Sequence, residues 1–278
     1  MLRGLPSHSS RARTWAMGLL VAVLLGGAAV TAGPAAAAAD AKPPVVLVHG
    51  SFADASSWSQ VVAPLQKRGF QVIAAANPLR GAAIDTAYLK NQLAQIEGPI
   101  VLVGHSYGGF VMTSAATGNP NVKALVYVAA FAPLEGETAQ QLISRAPGSL
   151  LAPTALSVST YQTPEGQIVP ESTVKPGAFR RIFAADLPAS VTRIVAASQR
   201  PTALSTLTEP SGPPAWTTIP SWYLVAGADK AVGVANERFM AERIHAATVE
   251  VKGASHVVMI SHPKKVVNLI ADAAAGRR

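Results

Sequence analysis

The 278-residue chain has no cysteine, which removes disulfide scaffolds, Cys-ligated zinc, iron–sulfur clusters and thiol nucleophiles together. Charge is scarce: Asp, Glu, Lys and Arg make up 14% of residues against 49% hydrophobic, which excludes a disordered chain. No period of 20–50 residues recurs, which argues against a solenoid. The 22 Gly and 21 Pro follow no short period, so the chain is not collagen-like. Its length suits a single sizeable α/β domain with a full core.

Acidic residues are missing entirely before Asp40, where Arg3, Arg11 and Arg13 are the only charges. An apolar stretch from Trp15 to about Val30 follows, then Pro34 and the run Ala35 to Ala39. A basic head, an apolar middle and an A-x-A tail predict a secretory signal peptide over residues 1–39, cut near Ala39, and hence a secreted protein. The rival is an uncleaved anchor, since the apolar stretch approaches membrane-spanning length; the Gly/Ala-rich second half and Pro34 favour cleavage, leaving no stable membrane insertion. No adjacent Arg pair suggests the twin-arginine route, and no Cys is available for lipidation. Without the leader the formal charge falls from +8 to +5. The basic residues (Lys67-Arg68, Arg180-Arg181, Lys264-Lys265) are scattered without aromatic interleaving, so no nucleic-acid site is expected.

What is present is a set of short unbroken apolar runs: Pro44–Val48, Pro99–Val103, Lys123–Ala129 and Ser221–Ala226, with Gln71–Ala74 and Thr248–Val251 completing six. Continuous rather than alternating apolar character implies parallel strands covered on both faces. Helical stripes alternate with them (Trp58, Val61, Val62 and Leu65; Ile84, Tyr88, Leu89, Leu93 and Ile96; Val266, Val267 and Ile270), with Asp54 or Ser56 as N-cap of the first. The alternation predicts a doubly wound α/β sheet. The core spans 43–130 and 221–278. From about 131 to 220 no core strand is evident. Weak helical patterns there (Thr138–Arg145, Phe179–Ala185, Ala189–Ser198) read as a cap over the sheet's carboxyl edge, where open α/β sheets bind ligands.

Gly104-His-Ser-Tyr-Gly108 follows one of these strands and opens a helix, the strand–turn–helix setting that a G-x-S-x-G nucleophile requires. Ser106 must sit on a strained turn, and a Cβ at 104 or 108 would strike neighbouring backbone. The helix behind it directs N–H groups and positive dipole toward developing negative charge. His49-Gly-Ser-Phe52 follows the first strand. Its Ser51 N–H, with Phe52 as the alternative, would join Tyr107 N–H in an oxyanion hole, while His49 braces the loop.

Ser106 needs a base, and the base an orienting carboxylate. His256 sits in a loop at the carboxyl end of the last strand and is favoured; His262 is second, with a capping role otherwise expected. His105 is expected to point away and His245 to be solvated. Asp229 follows the strand Ser221–Ala226 at the same edge, whereas Asp186 lies in the cap and Asp272 near the chain end. The order Ser106, Asp229, His256 is the one expected of this strand–turn–helix architecture.

Val45–Phe52, Gly104–Gly109, Gly227–Asp229 and Ser255-His256 together resemble the α/β-hydrolase superfamily, and more narrowly small bacterial serine esterases akin to plant methyl esterases and hydroxynitrile lyases. The resemblance runs over about 43–273. It implies an α/β-hydrolase fold with a helical cap inserted between core strands, Ser106 as nucleophile, Asp229 as acid, His256 as base, and Ser51 and Tyr107 as oxyanion donors. It also implies a sheet without the antiparallel hairpin that opens many larger hydrolases. The related lyases place Lys after the catalytic His and Thr where this chain has Gly50. Here Val257 follows His256, so no ammonium awaits a departing cyanide, which argues for hydrolysis.

The expected activity is cleavage of small carboxylic esters through an acyl-enzyme, with no metal or organic cofactor, and Phe52 and Val257 in the substrate pocket. Lactone opening, perhydrolysis or a tailoring reaction on the same triad is the alternative, and a non-catalytic small-molecule binding protein is a third. Aromatic cap residues (Phe131, Tyr161, Phe179, Phe183, Trp216) point to a small, mostly uncharged ester.

Overall fold

The computed structural model describes residues 42–278, so the leader expected over 1–39 lies outside the described residues. In chain order the elements are β1 (Val45–Val48), α1 (Ser59–Lys67), β2 (Val72–Ala75), α2 (Ala82–Leu93), β3 (Ile100–His105), α3 (Tyr107–Ala115) and β4 (Val122–Val128). An inserted segment follows with α4 (Ala139–Ser144), β5 (Leu156–Gln162), β6 (Ile168–Val174), α5 (Pro176–Phe183), α6 (Ala189–Ala197), β7 (Thr202–Ala203) and α7 (Ser205–Thr208). The chain then returns through β8 (Ser221–Ala226), α8 (Val234–Arg243), β9 (Ala247–Val251), α9 (Val258–Ser261) and α10 (Pro263–Ala274).

The six apolar runs form one sheet in the order β2-β1-β3-β4-β8-β9, every pair parallel. The period of two along each strand divides the core into two layers. Val45, Leu47, Val101, Val103, Val126 and Leu224 face α1 and α10. Val46, Val48, Leu102, Leu125, Tyr127 and Val225 face α2, α3 and α8. Burial on both sides is why these strands carry no polar alternation.

One helix face differs from its sequence pattern. In α2 the buried positions are Ala82, Asp85, Leu89 and Leu93, while Ile84 and Tyr88 are 58% and 44% exposed. The helix is turned so that Asp85 goes inward, where its carboxylate accepts from the Tyr107 hydroxyl (2.9 Å) and the Arg80 N–H (3.0 Å). A buried hydrogen-bonded carboxylate outweighed the exposure of two apolar side chains.

The insert contains the expected helices, α4 opening on a Thr138–Gln141 capping box. It also contains a three-stranded antiparallel sheet, β5-β6-β7, which the apolar pattern did not reveal. Most of β5 is exposed, so its Ser, Thr and Tyr residues carry β-propensity without an apolar run. Among the described residues no helix is long and apolar enough to cross a membrane.

Candidate active site

β3 ends at His105 and α3 begins at Tyr107, leaving Ser106 alone in the turn with φ 53° and ψ −124°. A side-chain-bearing residue in this region is strained and must be held by its surroundings. Ser106 N–H donates to Val128 O (3.3 Å), and its carbonyl accepts from Gly109 N–H (3.0 Å) and Phe131 N–H (3.2 Å). The glycines make that turn sterically available. A Cβ on Gly104 would lie 2.6 Å from Gly109 N, and one on Gly108 would press into the carbonyl oxygen of Val48. Gly50 is equally constrained, since a Cβ there would stand 2.7 Å from the Ser106 Cβ.

That last approach exists because β1 lies beside β3, so the loop after β1 meets the turn after β3. His49 is fully buried and braces this loop. Its Nδ1 is 2.9 Å from Gly50 O, its Nε2 accepts the Asn77 N–H at 2.9 Å, and the Asn77 side chain donates to His49 O. Burial lowers its pKa, in keeping with a neutral ring that accepts at Nε2. Phe52, at φ 60°, donates its N–H to Thr202 Oγ1 at 3.0 Å. The alternative oxyanion donor is therefore already engaged. The N–H groups of Ser51 and Tyr107 have no acceptor among the described residues.

Asp229 and His256 meet at the far side of the same edge, after β8 and β9. His256 Nδ1 and Asp229 Oδ2 are 2.6 Å apart, both side chains fully buried. Asp229 Oδ1 accepts from Ala231 N–H (2.5 Å) and Val232 N–H (3.0 Å). Burial alone would raise this carboxyl. The charge and hydrogen bond of His256, with bonds from Glu237 and the Ala231 amide, overcome burial and hold it down at about 2. A carboxylate on Nδ1 fixes the neutral tautomer, with the lone pair on Nε2. His256 Nε2 is buried and has no hydrogen-bond partner among the described residues, so Asp229 and His256 are joined while Ser106 Oγ and His256 are not hydrogen-bonded in this structure.

His105 was expected to point away from the site. It is instead buried against it: Nε2 lies 3.0 Å from His256 O, and the two rings are 4.6 Å apart. Burial pushes its pKa well down, so it packs as a neutral ring. His245 is exposed at the end of α8. His262 makes no side-chain cap to α10, because its Nδ1 is 2.9 Å from Ser261 Oγ and it faces Asp186 at 3.8 Å. Asp186 in turn accepts from Ser255 Oγ, and Asp272 pairs with Arg277.

A cavity opens over Ser51, Ser106 and Tyr107, walled by Phe52, Phe131, Ile143, Leu151, Phe183 and Val232 among others. Val257, expected in the pocket beside Phe52, does not line it. Its N–H is tied to Phe183 O (3.1 Å) and its side chain joins the core, so Phe183 takes the wall position, its ring edge-on to His256 at 5.1 Å. Sequence reasoning also missed Thr202, Asp85 and Glu237, polar side chains that meet the site only through tertiary contacts.

A carbendazim-hydrolysing esterase from Nocardioides sp. (strain SG-4G) is 32% identical over 114 residues, covering 36% of this chain. The match spans about half (47%) of that relative's length. Polyneuridine aldehyde esterase superposes with a TM-score of 0.71 at 22% identity, covering 83% of this chain and 98% of that one. A methylesterase from Arabidopsis gives 0.68 at 16% identity, covering 84% and 99%; at such identities the two structures establish a shared fold. Residues 45–269, from the first strand to the last helix, match the alpha/beta hydrolase family, and the chain belongs to that family.

Proposed function

We propose that the protein is a serine esterase that cleaves small uncharged carboxylic esters through an acyl-enzyme on Ser106. The observation that carries this reading is the buried Asp229–His256 pair at the same sheet edge as a serine on a strained turn. Ser106 Oγ attacks the ester carbonyl carbon as its proton passes to His256 Nε2. The carbonyl oxygen becomes an oxyanion held by the Ser51 and Tyr107 N–H groups, and Asp229 steadies the imidazolium. Collapse breaks the ester C–O bond, and His256 returns the proton to the departing alkoxide, which leaves as an alcohol. Water, giving a proton to His256, then attacks the acyl-enzyme; the acid is released and Ser106 regains its proton. The Ser106–His256 hydrogen bond forms as substrate closes the site, a contact often long in empty enzymes.

Among the described residues no charged side chain lines the cavity wall, which favours neutral acyl and alcohol groups. The names of the relatives, two esterases and a methylesterase, agree in reaction class. Short acyl esters of nitrophenol test the reading. Ser106→Ala is expected to lower kcat by about 10⁴-fold or more; equal rates for wild type and variant would end it.

The proposal extends to export, from the basic head, apolar middle and alanine tail of residues 1–39. Expressed in a host with a working secretory pathway, the protein should be recovered outside the cell beginning at Asp40. Recovery with residues 1–39 attached would overturn that part.

A further inference from the structure

Behind Asp229 stands a second carboxyl group that the proposed reaction does not use. Glu237 lies in the first turn of α8 and is fully buried. Its Oε2 accepts the N–H of Ala226, the last residue of β8, at 2.9 Å. Its Oε1 is sealed from solvent and meets no N–H or hydroxyl donor among the described residues, and the Glu237 and Asp229 carboxyl groups lie within hydrogen-bonding reach of each other. Two carboxyl groups in buried contact do not both ionise, so one proton lies between them.

The hydrogen-bond inventory decides which keeps it. Asp229 receives two backbone N–H groups and the His256 Nδ1–H, all of which favour its charged form. Glu237 receives one amide only. Other groups around Glu237 do not reverse this. Glu250 on β9 and Asp229 both oppose its ionisation, Arg238 is exposed and paired with Glu250, and the Tyr223 hydroxyl on β8 is bonded to Ala130 O. Burial and the Asp229 charge push the Glu237 carboxyl well up.

We propose that Glu237 is a positioning residue: it stays protonated and donates its O–H to the Asp229 carboxylate, extending the relay to Glu237–Asp229–His256. No bond to substrate is involved. The donated hydrogen bond fixes the rotation of the Asp229 carboxylate. It also disperses charge that would otherwise bear wholly on the imidazole, where His105 is a neutral neighbour. The sequence carries no local mark of this role, because Glu237 reaches Asp229 across one turn of tertiary structure.

The inference rests on the serine-esterase reading, and Ser106→Ala is the control that separates them. The experiment measures kcat and the pH profile of kcat/KM on a nitrophenyl ester for wild type, Glu237→Gln and Glu237→Leu, normalised to folded protein. Glu237→Gln can accept from Ala226 and donate to Asp229 in the same geometry. It should hold kcat within about threefold and leave the acidic limb in place. Glu237→Leu removes the donor, concentrates charge on Asp229 and should raise the acidic limb by about half a pH unit while lowering kcat about tenfold. A limb that moves to lower pH in Glu237→Gln would mean that an ionised Glu237 had been neutralised, and overturns the proposal. So does a Glu237→Leu protein that is less stable but keeps the wild-type profile. If Ser106→Ala is as active as wild type, the esterase reading itself fails and takes the relay with it. If Ser106→Ala is inactive while all Glu237 profiles coincide, the relay alone fails.

Discussion

Two residues in the site hold backbone conformations that L-amino acids rarely adopt, Ser106 at φ 53° and Phe52 at φ 60°. Strain of this kind persists only where neighbours over-determine it. Around Ser106 the determinants are three backbone hydrogen bonds and the glycines at 104 and 108. At Phe52 the determinant is one side chain, since its N–H is held by Thr202 Oγ1 at 3.0 Å, with Thr202 itself 2% exposed. That bond ties the loop after β1 to the inserted segment, next to Ser51 at the cavity. Thr202→Val keeps the shape but leaves a buried N–H without an acceptor, which costs about 1–3 kcal/mol. Denaturant unfolding should show that loss. A slackened Ser51 donor should also lower kcat about tenfold with little change in KM, smaller than the full removal of an oxyanion donor. A variant with unchanged kcat and KM would show that the Thr202 bond plays no part in aiming the loop.

At the scale of elements, the core was legible because a parallel strand buried on both faces has only one way to look in sequence. All six expected runs became strands, and Ser106, Asp229 and His256 each fall within a few residues of a strand's carboxyl end. Topology then gathers them: β1 beside β3, and β4, β8 and β9 in sequence on the other side. What escaped were interactions whose partners are remote in the chain. Leu89 and Leu93 of the α2 stripe are buried as expected, but Ile84 and Tyr88 are not, because Asp85 is satisfied by Tyr107, 22 residues away, a contact no helical period encodes. The β5-β6-β7 sheet escaped because its strands face solvent and lack the apolar signature. His105 escaped because its environment is set by His256, 151 positions on. The insert is fastened to the loop bearing His256 by two hydrogen bonds, Val257 N–H to Phe183 O and Ser255 Oγ to Asp186. This fastening places Phe183 rather than Val257 against the cavity.

For the molecule as a whole, the buried carboxyl groups make stability depend on pH in opposite directions. Asp229 is depressed to about 2, so its contribution is present above its unfolded value near 4 and is lost as pH falls through about 2. Asp85 is fully buried, and desolvation raises its carboxyl despite bonds from the Arg80 N–H and the Tyr107 hydroxyl. Its contribution is therefore complete below its unfolded value, about 4, and is lost as pH rises through the folded one. Asp85→Asn removes that loss while its Oδ1 still accepts from the Arg80 N–H and its Nδ2 donates to the Tyr107 hydroxyl oxygen, which can turn its own proton away. At pH 4, near the ordinary carboxyl value, variant and wild type should melt closest together. By pH 8 the variant should be the more stable, because there the wild-type carboxyl must ionise against its own desolvation in the folded state. Asp229 is common to both proteins, so its acid-side effect cancels in the difference. A difference in Tm that stays constant from pH 4 to pH 8 would show that Asp85 carries no linked proton and that turning α2 to bury a carboxyl has no electrostatic cost.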